Sequence, residues 1–197
     1  MKKYIAEALG TFTLALVVAL SLAGHFPVST PVLAALVLGL FVYSIGHISG
    51  AHINPAVTLG LWSIKKIKSA DAVNYIIAQA VGGAIALFLA SYVGSVGVSA
   101  GTVVANSLQV GLAELLGTFF FAFGIASAVY GKTPVEASGL VVGGSLLLGI
   151  TISALLGANG VLNPAVALGI GSFGVMYVVG PIVGSILGMQ AYKYLES

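Results

Sequence analysis

Two copies of an Asn-Pro-Ala tripeptide, at residues 54–56 and 163–165, are the best candidates for a chemical task in this chain. Asparagine favours the N-cap of a helix and proline its first turn, so each tripeptide predicts a helix start. The side-chain oxygens of Asn54 and Asn163 would cap the next turn and leave their NH₂ groups as free donors. Each helix start also carries about half a positive elementary charge. If the two starts meet inside a membrane, they form a midplane site, made of Asn54, Pro55, Ala56, Asn163, Pro164 and Ala165.

Such a midplane suits the passage of small uncharged molecules. Water can accept hydrogen bonds from both asparagines, whereas a cation is repelled and a chain of proton-carrying waters is interrupted. The unwound residues before each motif would add a ladder of carbonyl acceptors. One tripeptide could be explained by capping alone, but two in equivalent places favour a pore. The predicted ladder consists of Gly50, Ala51, His52, Ile53, Asn159, Gly160, Val161 and Leu162.

The composition is that of an integral membrane protein. Hydrophobic residues make up 59% of the 197, and charged residues only 6%, against roughly 25% in soluble domains. There is no cysteine, which excludes disulfides and thiolate metal sites. A membrane span needs about 20 apolar residues. Six stretches qualify, and two shorter ones read as half-helices entering the membrane. The predicted spans are 4–24, 31–48, 71–93, 108–130, 135–156 and 175–194, and the predicted half-helices are 54–64 and 163–173.

All seven basic residues are lysines, and six spans would put them on one side. They lie before the first span, after the first half-helix, between spans four and five, and at the end of the chain. The loops 25–30 and 94–107 carry none. The positive-inside rule therefore predicts a multi-pass protein with both termini in the cytoplasm, and we expect it in the plasma membrane. Lys65, Lys66 and Lys68 could also contact anionic lipid, although the same rule explains them.

The chain contains one internal repeat. Residues 6–16 match residues 113–123 at seven of eleven positions, and residues 54–63 match 163–172 at seven of ten. Each half, about 1–100 and 107–197, holds three spans, so the second copy must enter from the opposite face. Inverted repeats place the working site near the midplane. The repeated acids Glu7 and Glu114 lie within spans, where we expect carboxylates that satisfy the backbone of the broken loops.

The stretches Gly46–Gly60 and Ala113–Thr118 closely resemble the aquaporin, or major intrinsic protein, family, and the resemblance covers the whole sequence. It implies an all-α membrane protein with six tilted helices and two re-entrant half-helices in an inverted-repeat bundle. It also implies a homotetramer with one pore per subunit, passive conduction of water, and in some members conduction of glycerol, urea, ammonia or hydrogen peroxide. No enzyme activity, cofactor, metal or nucleic acid is implied, and the partners are the permeating molecules and membrane lipid.

The outer filter departs from the family pattern. The arginine that usually follows the second motif is replaced by Val166, and the other filter positions map by spacing to Ala34, Thr151 and Gly160. All four side chains are small, which predicts a wide, weakly polar mouth without a fixed cation. A shifted loop or another side chain could instead plug this mouth. The aspartate typical of glycerol channels is absent, with Leu168 in its place.

Several other functions stay open on the sequence. A water-selective pore with an atypical filter fits the same motifs. A secondary transporter of inverted-repeat type would need a coupling-ion site, for which only Glu7 and Glu114 lie clearly within spans. A structural membrane protein with a closed pore is a third alternative. Ser49 with His47 or His52 could form a hydrolase only with geometry that the sequence does not establish, and a metal site with His25 is disfavoured because His25 falls on the other side.

Overall fold

The computed structural model of the chain describes residues 1–24, 26–93 and 106–197. His25 and residues 94–105 lie outside this description. Most of the predicted lysine-free loop 94–107 and the predicted end of the first repeat, near residue 100, therefore lie outside it too. Within the described residues the protein is entirely helical, and six of the helices are long and apolar enough to cross a membrane.

The predicted spans are confirmed, and their ends differ from the prediction by three residues at most. Span five begins with a single turn of 3-10 helix at Val135–Ala137. We number the helices in chain order, with α1 to α4 as the first half and α5 to α8 as the second. They are α1 (Lys2–Ala23), α2 (Thr30–Ser49), α3 (Pro55–Ser63), α4 (Ser69–Tyr92), α5 (Leu108–Val129), α6 (Ser138–Leu155), α7 (Pro164–Gly169) and α8 (Val175–Glu196).

The two short helices, α3 and α7, fall at the predicted half-helix positions. Helix α7 is shorter than expected and ends at Gly169 rather than at residue 173. It ends there because Gly171 adopts a left-handed conformation (φ 71°) and the Ser172 amide donates to the Ala167 carbonyl at 2.8 Å. This is the bonding pattern that commonly closes a helix C-terminus.

The long helices pack in equivalent pairs. Helix α1 packs on α4, α5 packs on α8, and α2 contacts α6 between the halves. Each short helix packs against the last helix of the other half, so α3 lies on α8 and α7 lies on α4. The second contact requires a glycine, since a β-carbon at Gly83 would collide with the carbonyl oxygen of Ala165. The exchange of short helices ties the halves together around the Asn-Pro-Ala motifs.

Candidate functional site

Each short helix is capped by the asparagine of its motif. The Oδ1 atom of Asn54 accepts a hydrogen bond from the Ala56 amide at 2.8 Å. The Oδ1 atom of Asn163 accepts from the amides of Ala165 at 3.0 Å and Val166 at 3.3 Å. The proline of each motif occupies the first helical position, where no amide hydrogen is needed. Local sequence preferences alone therefore account for both helix starts.

The amide groups of the two asparagines are not entirely free, which corrects the sequence-based expectation. Asn54 Nδ2 donates to the Leu162 carbonyl at 2.9 Å, and Asn163 Nδ2 donates to the Ile53 carbonyl at 3.0 Å. Each asparagine thus ties its own helix start to the loop of the opposite half. An NH₂ group has two hydrogens, so one N–H of each asparagine stays available to a molecule in the pore.

The loops before the motifs have an unusual backbone. Ala51 (φ 49°), Ile53 (φ 38°) and Leu162 (φ 54°) adopt left-handed conformations, next to the left-handed glycines Gly50 and Gly160. For non-glycine residues such conformations cost about 1–3 kcal/mol each and persist only where the surroundings impose them. Because the loops are not helical, their carbonyls are not used by helical hydrogen bonds. The surroundings that impose this shape are two buried acids.

Glu7 holds the loop of the first half. Its Oε1 accepts from the Ser49 hydroxyl at 2.6 Å and the His52 amide at 3.0 Å, and its Oε2 accepts from the Ile53 amide at 2.6 Å. The Gln79 side chain donates a further hydrogen bond to Oε2 at 2.8 Å. The bond from Ser49 to Glu7 also means that this hydroxyl engages an acid rather than a histidine.

Glu114 holds the loop of the second half. Its Oε1 accepts from the Val161 amide at 3.0 Å and the Ser153 hydroxyl at 3.2 Å, and its Oε2 accepts from the Leu162 amide at 2.7 Å. Both acids are completely buried. A buried acid surrounded by donors satisfies amides that a left-handed loop would otherwise leave unpaired.

A cavity of about 560 Å³ lies on the side of the bundle that carries no lysine, and we call it the far cavity. Three of the four predicted filter residues, Ala34, Gly160 and Val166, line it together with Asn159 and Val161 of the ladder. None of the described residues in its lining is a lysine, arginine, aspartate or glutamate. Its wall is apolar on most sides, with polar groups concentrated on the loop of the second half.

Thr151, the fourth predicted filter residue, does not line the far cavity. It is exposed on the outer surface of α6, and its hydroxyl donates to the Leu147 carbonyl at 2.8 Å. Ile150 lines the cavity instead. The inward face of α6 runs through Leu146, Ile150 and Ser153, a helical spacing of four and three residues. Ser153, as the partner of Glu114, lies on this face. The position predicted by spacing from the motif is therefore one residue away from the residue that lines the cavity.

A second cavity, of about 820 Å³, opens on the side that carries the lysines, and we call it the lysine-side cavity. The ladder residues Gly50, Ala51 and His52 line it. Leu38 and His52 line both cavities, so the two cavities approach each other at these residues beside the motifs. The predicted ladder therefore divides between the two sides, and Ile53 faces the far cavity.

Sequence reasoning missed the side chains of Thr58 and Gln79 near this junction. The His52 ring has its Nδ1 3.1 Å from the Thr58 hydroxyl and contacts the Tyr75 ring edge-on, with 5.0 Å between ring centroids. Gln79 is fully buried and donates to the same Thr58 hydroxyl at 3.0 Å. A glutamine in the middle of an apolar span was the signal that could have identified this network.

The lysines lie on one side of the bundle. Lys3 Nζ is 2.8 Å from Asp71 at the start of α4, and Lys132 Nζ is 3.0 Å from Glu196 at the end of α8. Lys66 Nζ is 4.3 Å from the centroid of the Tyr130 ring, just after α5. Each of these contacts joins two helix ends that the prediction of six spans places on the same side of the membrane.

Comparison with known proteins gives one family over almost the whole chain. The sequence model of the family described as "Major intrinsic protein" matches residues 1–192. Aquaporin AqpM of Methanothermobacter thermautotrophicus is 37% identical, over 79% of this chain and 72% of that protein. Glycerol uptake facilitator protein-like 6 of Lactiplantibacillus plantarum is 35% identical, over 100% and 99% respectively. The X-ray structure of the aquaglyceroporin from Plasmodium falciparum superposes with a TM-score of 0.70 at 19% identity, covering 100% of this chain and 95% of that one.

Proposed function

The chain belongs to the major intrinsic protein family, and on that premise we propose that it is a passive channel for water and other small uncharged solutes such as glycerol, urea, ammonia and hydrogen peroxide. The observation that carries the proposal is that two cavities, one from each side of the bundle, reach the same residues, Leu38 and His52, beside the paired helix starts. Passive conduction requires that the midplane can be reached through a cavity from each side of the membrane.

At the midplane we propose that Asn54 and Asn163 orient each passing molecule. Each offers one N–H, since the other is bonded to the opposite loop. The two helix starts add positive potential at the same place. A water molecule that accepts from both asparagines points its hydrogens away, towards the carbonyls of the two loops, which opposes proton transfer along the pore. The same potential opposes cations.

We propose that the far cavity sets the solute range, through Ala34, Ile150, Gly160 and Val166. In this assignment Ile150 replaces Thr151. The part of the lining that the structure describes offers no charged group to bind or repel a solute, and a glycine and an alanine leave room beside the two aliphatic side chains. A broad range of solutes is supported by the combination of an uncharged wall with the ladder residues of the second half on one side. This combination suits molecules that have both an apolar face and a hydroxyl or amine.

Stopped-flow swelling of proteoliposomes tests the proposal. Vesicles containing the protein should swell faster than empty vesicles with water, glycerol, urea and ammonia gradients. Water flow without any of the three solutes would contradict the broad range and favour the water-selective alternative. No flow of any kind from well-folded protein would indicate a closed pore.

A secondary transporter is less well supported. Its coupling ion would have to bind Glu7 or Glu114, and both carboxylates already accept hydrogen bonds from their own loops. Uptake that saturates and depends on an ion gradient would nevertheless establish this alternative.

For the assembly we propose a homotetramer in the plasma membrane with both termini in the cytoplasm. The tetramer rests on the family, and the orientation rests on the positive-inside rule applied to the lysine-bearing side. Cross-linking would test the first, and protease access to tags on the two termini in intact cells would test the second.

A further inference from the structure

The turn between α3 and α4 holds three lysines in a fixed geometry. The Lys65 amide donates to the Trp62 carbonyl at 3.0 Å and the Lys66 amide donates to the Leu61 carbonyl at 2.9 Å, so the turn is closed by its own backbone. Lys65 adopts a left-handed conformation with φ 62°. A lysine in this conformation is strained, because the left-handed region favours glycine, which has no β-carbon.

The equivalent turn after α7 contains no lysine. It closes with the same backbone bond, from Ser172 to Ala167, and has Gly171 at the left-handed position. The fold thus builds this turn with glycine in one half and with lysine in the other. The second half closes its short helix in the same way three residues earlier in the repeat, with a glycine. A strained lysine where the other half uses glycine for the same closure indicates that the lysine-rich turn has a role of its own.

Two of these lysines belong to the lining of the lysine-side cavity. Lys66 and Lys68 line the lysine-side cavity, together with His47. Among the described residues, no carboxylate oxygen lies within 4.0 Å of either amine. Asp71 also lines the cavity, but its carboxylate is bound by Lys3 at 2.8 Å and by the Tyr4 hydroxyl at 2.9 Å.

Membrane topology does not require this arrangement. The positive-inside rule asks for lysines on one side of the membrane, a condition that Lys2, Lys132 and Lys193 also meet, and says nothing about lysines that line a cavity. Ammonium groups bind phosphate as point charges. We propose that the lysine-side cavity binds a phosphate group at Lys66 and Lys68, and that the bound anion narrows this entrance to the pore.

The phosphate group could belong to a free phosphorylated anion or to the headgroup of an anionic phospholipid, and the chemistry at the two lysines is the same. The binding site itself does not depend on the proposed channel function. Only the narrowing of the entrance rests on that function, so the two are tested separately.

Binding can be followed with the single tryptophan of the chain, Trp62, whose carbonyl accepts the bond that closes this turn. Purified protein in uncharged detergent is titrated with inorganic phosphate, against sodium chloride at equal ionic strength. We expect a saturable change in tryptophan fluorescence with phosphate only. The double variant Lys66→Gln/Lys68→Gln should bind about tenfold more weakly. The single variants serve if the double variant does not fold.

Lys193→Gln is the matched control, because it removes one lysine from the same side without touching the cavity. Its phosphate response should equal that of the wild type. A loss of the response in Lys193→Gln, an unchanged response in the double variant, or no saturable response in the wild type would overturn the proposal.

Reconstitution separates the two sources. In phosphatidylcholine vesicles, inorganic phosphate should change the fluorescence and lower the water permeability by about twofold. If the natural ligand is a lipid headgroup, adding phosphatidylglycerol produces the fluorescence change and suppresses the phosphate response. If it is a free anion, phosphatidylglycerol has no effect. A vesicle that conducts water but shows neither response overturns this inference alone, whereas binding without any conduction overturns only the channel function.

Discussion

The first and second halves of the molecule hold their pore loops with equivalent acids but with different polar support. Glu7 accepts hydrogen bonds from two loop amides, from Ser49 and from Gln79 on α4. Glu114 accepts from two loop amides and from Ser153. The acid and the two amides are shared, and the difference lies in the bond to the fourth helix of each half.

The repeat shows which residues are missing from the second half. Gly82 packs against the carbonyl of Ala8, which follows Glu7, and Gly184 packs against the carbonyl of Leu115, which follows Glu114. Three residues before these glycines stand Gln79 in the first half and Pro181 in the second. In the same way Thr58, four residues after the first motif asparagine, corresponds to Ala167.

The consequence is a difference in how firmly the two loops are held. The loop beside the lysine-side cavity is bonded through Gln79 and Thr58 to α4. The loop beside the far cavity is held by Glu114 with Ser153 and by a hydrogen bond between the Asn159 backbone and Tyr177 of α8, without a buried glutamine network. Buried networks in which every group is satisfied fix a structure more strongly than single contacts do. We infer that the far-cavity loop changes shape more readily, on the side where we place the solute filter.

The largest expected effect is on stability, from removing the acids. Glu7→Leu leaves four buried donors without an acceptor, and we expect the free energy of unfolding to fall by about 3–6 kcal/mol. Glu114→Leu leaves three and should cost about 2–4 kcal/mol. Denaturation in mixed detergent micelles, followed by circular dichroism, measures both. An equal or larger loss in Glu114→Leu would contradict the difference between the halves.

The next largest effect is expected from removing the hydrogen bonds of Gln79 on α4, which have no equivalent at Pro181 on α8. Gln79→Leu removes the donor to Glu7 and to Thr58, and we expect it to lower the free energy of unfolding by about 1–3 kcal/mol. The matched change, Pro181→Ala, removes no hydrogen bond to either acid and should alter the free energy of unfolding by about 1 kcal/mol or less. The same micelle denaturation measures them. Hydrogen exchange of the Ile53 amide should also rise in Gln79→Leu but not in Pro181→Ala.

The sequence predicts the fold of this protein almost completely, for identifiable physical reasons. Six apolar stretches of membrane length, two Asn-Pro pairs and lysines confined to one side are strong local signals. The end of α7 was placed four residues too late, because the left-handed turn at Gly171 stops the helix within a stretch that is still apolar. Apolar character alone does not specify where a short helix ends.

The site is less accessible from the sequence than the fold. The asparagine caps follow from local preference, but the bonds from Asn54 to Leu162 and from Asn163 to Ile53 join residues more than a hundred positions apart. No local pattern encodes such contacts. Thr151 was chosen by counting from the motif, whereas the direction of Ile150 depends on the bond between Ser153 and Glu114.

We expect a smaller effect, on permeation, from substituting the valines that follow the two motifs. Val57 lines the lysine-side cavity and Val166 lines the far cavity, and both are buried. Val166→Arg adds a bulky cation to the smaller cavity, so we expect glycerol permeability to fall about tenfold and water permeability about threefold or less. Val57→Arg enters the larger cavity and should affect glycerol less.

Swelling rates in proteoliposomes measure this pair, with Val166→Leu as the uncharged control for side-chain size. Equal losses of water and glycerol in Val166→Arg would show that this residue does not discriminate between solutes. A stronger effect of Val57→Arg would place the filter on the lysine side and reverse the comparison.

The smallest effect distinguishes two adjacent residues on α6. Ile150 lines the far cavity, and Thr151 is exposed on the outer surface of the helix. Ile150→Ala widens the cavity, and we expect glycerol permeability to rise about two- to threefold with little change for water. Thr151→Ala removes only a hydroxyl that bonds to its own helix at Leu147 and should leave both permeabilities unchanged. A change in solute selectivity from Thr151→Ala, with none from Ile150→Ala, would restore the assignment made by spacing from the motif. It would also mean that α6 turns in the membrane relative to the loop that Glu114 holds, which the weaker support of the second half would allow.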